Sequence, residues 1–270
     1  MNENKKRFLA ILLLLLSLLL LCTSCGKSKA HDKVANDTDV IRLGVPSNGL
    51  GRETESEEVI EIQKKGITIC IDPGHGFVDG GCGEEVGIIE KDITLAISNL
   101  LGEYLEELGY ETIFTHDGET FPLSSVDDGN QIFNPNERVA YTNTLDTDYF
   151  VSIHVNSYVQ DTSVSGIRIY YVQNDKKTDS NSEPIAYDIA DALKKEMTLA
   201  VAPQVEKQEK NSYAVVRETK TAASLIEVGF ATNKTDAENM VNEEWQKQFA
   251  KAVADGINDF FSEQSIATGA

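Results

Sequence analysis

The stretch that decides the fold is residues 66–76, which read GITICIDPGHG. Its first part, residues 66–71, is short, apolar and rich in β-branched side chains, a composition that predicts a buried strand. Pro73 then ends the strand, because proline has no N–H to donate to a neighbouring strand. The glycines on both sides of His75 allow the backbone to approach whatever this histidine faces. The stretch therefore predicts a strand that runs into a turn carrying a histidine.

Outward from this stretch, strand patterns alternate with helix patterns. In residues 92–108 the apolar side chains recur with the 3.6-residue period of a helix, and Gly109 stands where a helix C-cap belongs. Further strands are predicted at 112–115, 148–156, 166–172 and 223–229, and further helices at 136–145, 184–199, 243–261 and a short one opened by a capping box at 235–238. Residues 116–134 are polar and predict a loop. The alternation predicts a single α/β domain with a mostly parallel twisted sheet and helices on both faces.

Polar residues also mark other predicted strands and one helix start. Ser152, His154 and Asn156 alternate with apolar residues and so share one strand face, in a site or in a half-exposed strand. Glu227 stands among apolar neighbours, where a carboxylate is costly to bury without a salt bridge or a role. Glu90 stands at the N-terminus of the first long predicted helix, where the macrodipole alone would favour an acid.

These residues become informative as a set. Ligands of α/β sheets bind at the carboxyl ends of the strands, so His75 and His154 are expected to lie together there. Two imidazoles and one carboxylate are the ligand set of catalytic zinc, and a further glutamate supplies proton transfer. Non-haem iron uses the same ligand set, so the ligands alone leave the metal open.

The N-terminal residues predict export rather than fold. Three basic residues precede an apolar run at 8–21, as in an export signal, and the run is shorter than the roughly 20 residues that span a membrane. The sequence CTSCG at 22–26 resembles a bacterial lipoprotein cleavage box with Cys25 as the lipidated residue, although Cys22 stands where such boxes usually have leucine. An ordinary signal peptide and an uncleaved anchor are the alternatives. Lipidation would hold the protein at the outer membrane leaflet without a spanning helix.

Composition divides the chain into three segments. Residues 1–24 are the predicted export signal, residues 25–65 a lipidated cysteine with a flexible polar tether, and residues 66–265 one catalytic domain. The net charge is −20, and removing residues 1–24 takes away three basic residues and one acid. This acidic balance argues against a nucleic-acid partner, whose phosphates require lysine and arginine. Cys70 and Cys82 are too few for a disulfide framework, and a bond between them is left open.

The motifs together resemble the zinc-dependent N-acetylmuramoyl-L-alanine amidases of the type-3 group. The matching blocks, in the order of that family, are IDPGHG at 71–76, EKD at 90–92, NER at 136–138, SIHVNS at 152–157 and LIEVGFATN at 225–233. They span nearly the whole predicted domain, and the cysteine at position 82 departs from the usual pattern of the family. The resemblance implies hydrolysis of the amide bond between N-acetylmuramic acid and L-alanine in peptidoglycan.

The resemblance also implies roles for individual residues. His75, Glu90 and His154 would bind one Zn²⁺ ion, and Glu227 would act as the general acid and base. Three further residues would position substrate or support the ligands: Arg138, Asn156 and Asp72. For Asp72, orienting a ligand histidine and a simple turn role before Pro73 are both open.

Two other functions are compatible with parts of the sequence. The first is a zinc peptidase that cuts within the stem peptides, because a related α/β fold serves zinc exopeptidases. The second is a wall-binding lipoprotein without catalysis. The predicted partners are peptidoglycan and, through the lipid anchor, the outer face of the cytoplasmic membrane, and we expect a monomer. A requirement for an activator protein and the physiological occasion of cleavage are left open.

Overall fold

The computed structural model describes residues 62–122, 134–173, 177, 180–209 and 213–268, so the predicted export signal, Cys25 and most of the tether lie outside the described residues. In chain order the elements are β1 (Thr68–Pro73), α1 (Glu90–Glu107), β2 (Glu111–Phe114), α2 (Pro135–Thr142), β3 (Tyr149–Asn156), β4 (Arg168–Tyr171), α3 (Ser182–Glu196), β5 (Gln204–Lys207), α4 (Ala214–Glu218), β6 (Ala222–Phe230), α5 (Lys234–Met240) and α6 (Glu243–Thr268). A 3₁₀ turn, Glu84–Val86, precedes α1. None of the helices within these ranges is long and apolar enough to cross a membrane.

The strands form one six-stranded sheet in the order β2-β1-β3-β6-β4-β5. The first four of these strands are parallel, β4 runs antiparallel to β6, and β5 is parallel to β4. The carboxyl ends of β1, β3 and β6 therefore meet at one edge of the sheet. The prediction of a mostly parallel α/β sheet is confirmed.

The two faces of the sheet pack against different helices. One face buries alternate strand residues in the main core beneath α1, α3 and α6: Ile69, Ile71, Tyr149, Val151, Ile153, Ile226 and Val228. The other face packs a smaller apolar cluster against residues of α2 and α4: Cys70, Phe150, Leu225, Val139, Val215 and Val216. Because side chains alternate along a strand, the residues of β3 and β6 that point away from the main core share the second face. Helices cover both faces, as predicted.

Most predicted elements occur within a few residues of their expected bounds, with three differences. β5 and α4 were not predicted, because each is too short to show a period in the sequence. The predicted short helix is present, but the capping-box prediction at 235–238 is wrong: the N-cap is Asn233 rather than Thr235, so α5 begins two residues earlier than that cap implies. The Asn233 side chain accepts hydrogen bonds from the backbone N–H groups of Thr235 and Asp236. α6 extends to Thr268, beyond the predicted end at residue 261.

The two cysteines are not disulfide-bonded. Cys70 is fully buried in β1, with its Sγ 3.7 Å from Thr142 Oγ1, and burial raises the pKa of its thiol to about 12. Cys82 lies near the carboxyl edge of the sheet, where its Sγ donates to Val155 O at 3.1 Å. The disulfide that the sequence left open is therefore absent from the structure.

Candidate functional site

The carboxyl edge of the sheet brings four of the sequence-predicted residues together. His75 lies in the turn after β1, Glu90 is the first residue of α1, and His154 lies near the end of β3. One ligand atom from each of these three lies within 4.8 Å of the others. Glu227 is the register partner of His154 on the neighbouring strand β6.

Glu90 is surrounded by hydrogen-bond donors. Its Oε1 accepts from Val155 N at 2.8 Å and lies 3.1 Å from His154 Nδ1, and its Oε2 accepts from Cys82 N at 2.8 Å. His75 Nε2 lies 3.2 Å from the same Oε2. Burial alone would raise the pKa of Glu90, but the two histidines outweigh it and hold this pKa well below its usual range. Glu90 is therefore a fixed anion at the centre of the cluster.

Asp79 orients His75 from the opposite side. Its Oδ2 lies 2.9 Å from His75 Nδ1, and its Oδ1 accepts from Gly81 N at 3.1 Å. A carboxylate acceptor at Nδ1 favours the tautomer with the hydrogen on Nδ1, so that the lone pair of Nε2, on the side of Glu90, is free to bind a metal. This arrangement is typical of metal-binding histidines. Burial would lower the pKa of His75, but hydrogen bonds to Glu90 and Asp79 raise it to about 9. The sequence did not single out Asp79, whose only signal is its place in the loop after His75.

Two glycines make this packing sterically feasible. At Gly74 an added Cβ would lie 2.6 Å from Ile153 O and 2.7 Å from the His154 ring. Gly81 has a φ of +76°, and a Cβ there would lie 2.6 Å from the Cβ of Glu90. Side chains at either position would displace a candidate ligand, so the loop needs glycine for close approach and, at Gly81, also for conformation.

Glu227 has a different environment from Glu90. Its side chain is 4% exposed, and its Oε2 is buried without a hydrogen-bond partner among the described residues. Burial raises the pKa of Glu227 to about 7, with a further increase from the charge of Glu90, while His154 and a hydrogen bond from Tyr213 act in the opposite direction. Both protonation states of this carboxyl are therefore populated near neutral pH.

The residues present fit a metal ion. His154 Nε2 is buried without a hydrogen-bond partner among the described residues, like the nearby Oε2 of Glu227. Buried polar atoms of this kind are rare and call for a ligand or water. Two imidazoles and one carboxylate suit zinc with an open position, although iron accepts the same set.

Two tyrosines line the site beside Glu227. The rings of Tyr170 in β4 and Tyr213, which precedes α4, lie 5.3 Å apart. Tyr170 is buried, whereas Tyr213 is 41% exposed and hydrogen-bonds Glu227. Asn156 is half-buried, accepts from Ser157 N at 2.8 Å, and hydrogen-bonds Tyr170, whose pKa burial raises to about 12. Neither tyrosine was predicted from the sequence. Tyr213 could not be, because it adjoins a helix too short to show a period.

Asp72 and Arg138 lie beneath the site rather than in it. Asp72 is fully buried within β1, where it accepts from Ser152 Oγ at 2.6 Å and Thr115 Oγ1 at 2.7 Å. Arg138 is 2% exposed, and its Nε lies 3.4 Å from Asp72 Oδ1. Asp72 is thus a strand residue and not a turn residue, and it does not hydrogen-bond either candidate ligand histidine. Arg138 is enclosed by the Asp72 carboxylate, the Pro73 carbonyl and the protein interior.

Comparison with known proteins agrees with this geometry. Residues 69–259 match the family model Amidase_3, described as N-acetylmuramoyl-L-alanine amidase. The chain is similar to the uncharacterized protein YqiI of Bacillus subtilis, with 32% identity over 74% of this chain and 87% of that protein. It is 29% identical to the germination-specific N-acetylmuramoyl-L-alanine amidase of the same species, over 74% of this chain and 81% of the relative.

A solved structure shows the same fold. The CwlD amidase of Clostridioides difficile, determined in complex with the GerS lipoprotein, superposes with a TM-score of 0.61 at 25% identity, covering 73% of this chain and 98% of that one. The family match spans all four residues of the candidate site. This chain belongs to the type-3 N-acetylmuramoyl-L-alanine amidase family.

Proposed function

We propose that this chain is a zinc-dependent amidase that cleaves the amide bond between N-acetylmuramic acid and L-alanine in peptidoglycan. One observation carries the proposal. His75, Glu90 and His154 offer three ligand atoms within 4.8 Å of one another, and the buried Glu227 lies opposite His154 in register. This arrangement combines a metal-binding set with a separate group for proton transfer.

The ligands would be His75, Glu90 and His154, holding one ion per chain. When bound, zinc supplies a Lewis acid that polarises the scissile carbonyl and lowers the pKa of water. Asp79 supports His75 through Nδ1, and the backbone N–H groups of Val155 and Cys82 hold Glu90 in place. These contacts fix the ligand geometry before a metal arrives, which favours binding.

Glu227 would move the proton. As a carboxylate it accepts a proton from the water that attacks the lactyl carbonyl, and as an acid it donates that proton to the departing L-alanine amine. A pKa of about 7 suits both steps, because neither form is strongly disfavoured near neutral pH. Tyr213 would hold the carboxyl in position from the exposed side of the site.

The peptidase alternative differs in the bond that is cut, so the products decide between the two. The full-length chain, purified in mild detergent, would be incubated with purified peptidoglycan, with and without a chelator, and the products identified by mass spectrometry. We expect stem peptides with free L-alanine amino termini and intact glycan, loss of these products on chelation, and recovery with zinc. Recovery with ferrous iron alone would contradict zinc dependence, and cuts inside the stem peptide would support the peptidase.

Two further outcomes of this assay concern partners. Binding to peptidoglycan without any cleavage would support the non-catalytic alternative. The CwlD amidase was solved with a lipoprotein bound. If cleavage by this chain appears only with added membrane-protein extract, the chain requires a partner protein for activity.

The family and the N-terminal sequence support a location outside the cytoplasm. An amidase of the cell wall acts outside the cytoplasm, and we propose that residues 1–24 direct export and that Cys25 carries the lipid anchor at the outer face of the membrane. In this proposal residues 25–65 are the tether and residues 66–265 the catalytic domain. Labelling of cells with a palmitate analogue tests the anchor: the wild-type chain should take up label, and Cys25→Ser should not. Equal labelling of both would contradict it.

A further inference from the structure

The carbonyl of Pro73 accepts hydrogen bonds from two buried side chains. His116 Nε2 lies 2.7 Å from this oxygen, and Arg138 Nη1 donates to it at 2.9 Å. The histidine follows β2 and the arginine lies in α2, so two separate elements converge on one peptide group. That peptide group is two residues before His75. The proposed mechanism uses neither side chain.

The tautomer of His116 follows from its contacts. The backbone N–H of Gly118 donates to Nδ1 at 3.0 Å, so Nδ1 carries no hydrogen and Nε2–H donates to Pro73 O. Burial lowers the pKa of His116, and the charge of Arg138 acts in the same direction, while Asp72, Asp117 and the Pro73 carbonyl act against it. His116 is thus a neutral, oriented donor, and Arg138 a charged one.

The turn that these donors hold is conformationally unfavourable. His75 has a φ of 64° and Phe77 a φ of 50°, in a left-handed region that side chains other than glycine seldom occupy. Such a conformation persists only where surrounding contacts enforce it. The turn is also held by Gly74 N, which donates to Ile153 O at 2.7 Å, and by Thr94 Oγ1, which donates to Gly74 O at 2.7 Å.

We propose that His116 and Arg138 are positioning residues, which hold the Pro73 carbonyl and thereby fix the His75 imidazole for metal binding. This inference rests on the proposed function, since it concerns the same metal. A carbonyl oxygen has two lone pairs, and the two donors use both. If one donor is removed, the Pro73 peptide group is held less firmly. The backbone of His75, two residues later, then no longer fixes the imidazole with Nε2 directed at Glu90. The ligand set then loses part of its preorganisation, and zinc affinity falls.

Two substitutions of His116 separate its two hydrogen bonds. The amide nitrogen of glutamine can occupy the place of Nε2, so His116→Gln retains a donor to Pro73. The shorter asparagine places its amide near Nδ1, so His116→Asn retains only the contact with Gly118. We expect His116→Asn to weaken zinc binding by about 10- to 100-fold, the usual effect of removing a group that supports a metal ligand. We expect His116→Gln to stay within about threefold of the wild-type affinity.

Zinc affinity of the full-length chain is measured by competition with a chromophoric chelator, alongside thermal unfolding. Val139→Ala is the matched control, because Val139 is buried in α2 next to Arg138, packs in the smaller apolar cluster with Cys70 and Phe150, and has no polar group to donate to Pro73. It should lower the melting temperature and leave zinc affinity unchanged. Equal zinc affinities for His116→Asn, His116→Gln and the wild type would overturn the inference and leave the proposed function standing. A wild-type chain that binds no zinc would instead contradict the proposed function.

If His116→Asn does not fold, as judged by circular dichroism, Arg138→Lys takes its place. The lysine keeps a positive charge beside Asp72, but its side chain ends one atom short of the guanidinium nitrogen that reaches Pro73. The same 10- to 100-fold loss of zinc affinity is expected, and an unchanged affinity would overturn the inference.

Discussion

Glu90 and Glu227 both belong to the candidate site and are both buried, at 2% and 4% exposure, yet their surroundings differ. Glu90, at the start of α1, accepts from two backbone N–H groups and lies against two histidines. Glu227, in the middle of the sheet, has a carboxylate oxygen without a partner among the described residues. The pKa of Glu90 is lowered and that of Glu227 is raised to about 7. The comparison shows that environment, rather than residue type, separates a fixed negative ligand from a group that exchanges a proton.

The difference originates in local structure. The first turn of a helix favours an anion through its macrodipole, and the loop before α1 adds a further N–H donor from Cys82. A central strand offers no comparable donors, because its backbone groups are already paired with β3 and β4. A carboxyl placed there is desolvated, and the histidines and the Tyr213 hydroxyl compensate for only part of this loss, so its neutral form is favoured.

The largest expected effect is that of Glu90→Gln. The substitution keeps the shape of the side chain but removes the negative charge that the two histidines and a metal would share. We expect zinc affinity to fall by at least about 100-fold, more than for residues that only support a ligand, and turnover to disappear with it. Metal content after dialysis and activity on peptidoglycan measure both. One zinc per chain and normal turnover would show that Glu90 is not a ligand and is only an acid favoured at the start of a helix.

Gly81→Ala tests how tightly the loop packs against Glu90. Its Cβ would overlap the Glu90 side chain at a φ of +76°, so we expect about a 10- to 100-fold loss of zinc affinity. Cys82→Ser is the matched control, since the donor to Glu90 at that position is the backbone N–H, which the substitution retains. If Cys82→Ser lowered zinc affinity as strongly as Gly81→Ala, the loss would reflect any change in the loop sequence rather than the close approach of Gly81 to Glu90.

The raised pKa of Glu227 predicts a pH-dependent stability in the chelated protein. Since the folded pKa of about 7 lies above the unfolded value of 4.5, Glu227 stabilises the fold most below about pH 4.5, and this contribution is lost as pH rises through 7. The loss by pH 8 is up to about 3 kcal/mol. Glu227→Gln cannot ionise, so its stability relative to the wild type should rise from pH 5 to pH 8 in denaturant titrations. A constant difference would contradict the raised pKa.

Tyr213→Phe should have the smallest effect. It removes the hydroxyl that hydrogen-bonds Glu227 and lowers the pKa of that carboxyl. Because Tyr213 is 41% exposed, we expect a loss of roughly 3- to 10-fold in kcat, corresponding to about 1 kcal/mol for one hydrogen bond. The acidic limb of the pH profile should also move to higher pH, with zinc affinity unchanged. Tyr158→Phe, at a tyrosine with 44% exposure, is the control that should change neither.

Part of this site could be predicted from the sequence, because it depends on strand periodicity. His154 was expected in the site from the alternation along its strand, and Glu227 because a carboxylate among apolar neighbours needs a partner or a role. The register places the two side by side. Asp79 and Tyr213 could not be found in this way, since loop geometry and a five-residue helix bring them to the site. The roles of Arg138 and His116 depend on a shared contact with Pro73, which joins residues far apart in the chain and has no sequence pattern.

The most direct test of the two-glutamate account is a paired measurement on Glu227→Gln: zinc bound per chain, and turnover of purified peptidoglycan. The account predicts one zinc per chain with wild-type affinity, together with a loss of about 10²- to 10⁴-fold in turnover, the usual contribution of general acid and base catalysis. Turnover close to wild type would contradict the role of Glu227. Loss of zinc together with activity would show that Glu227, like Glu90, belongs to the ligand set.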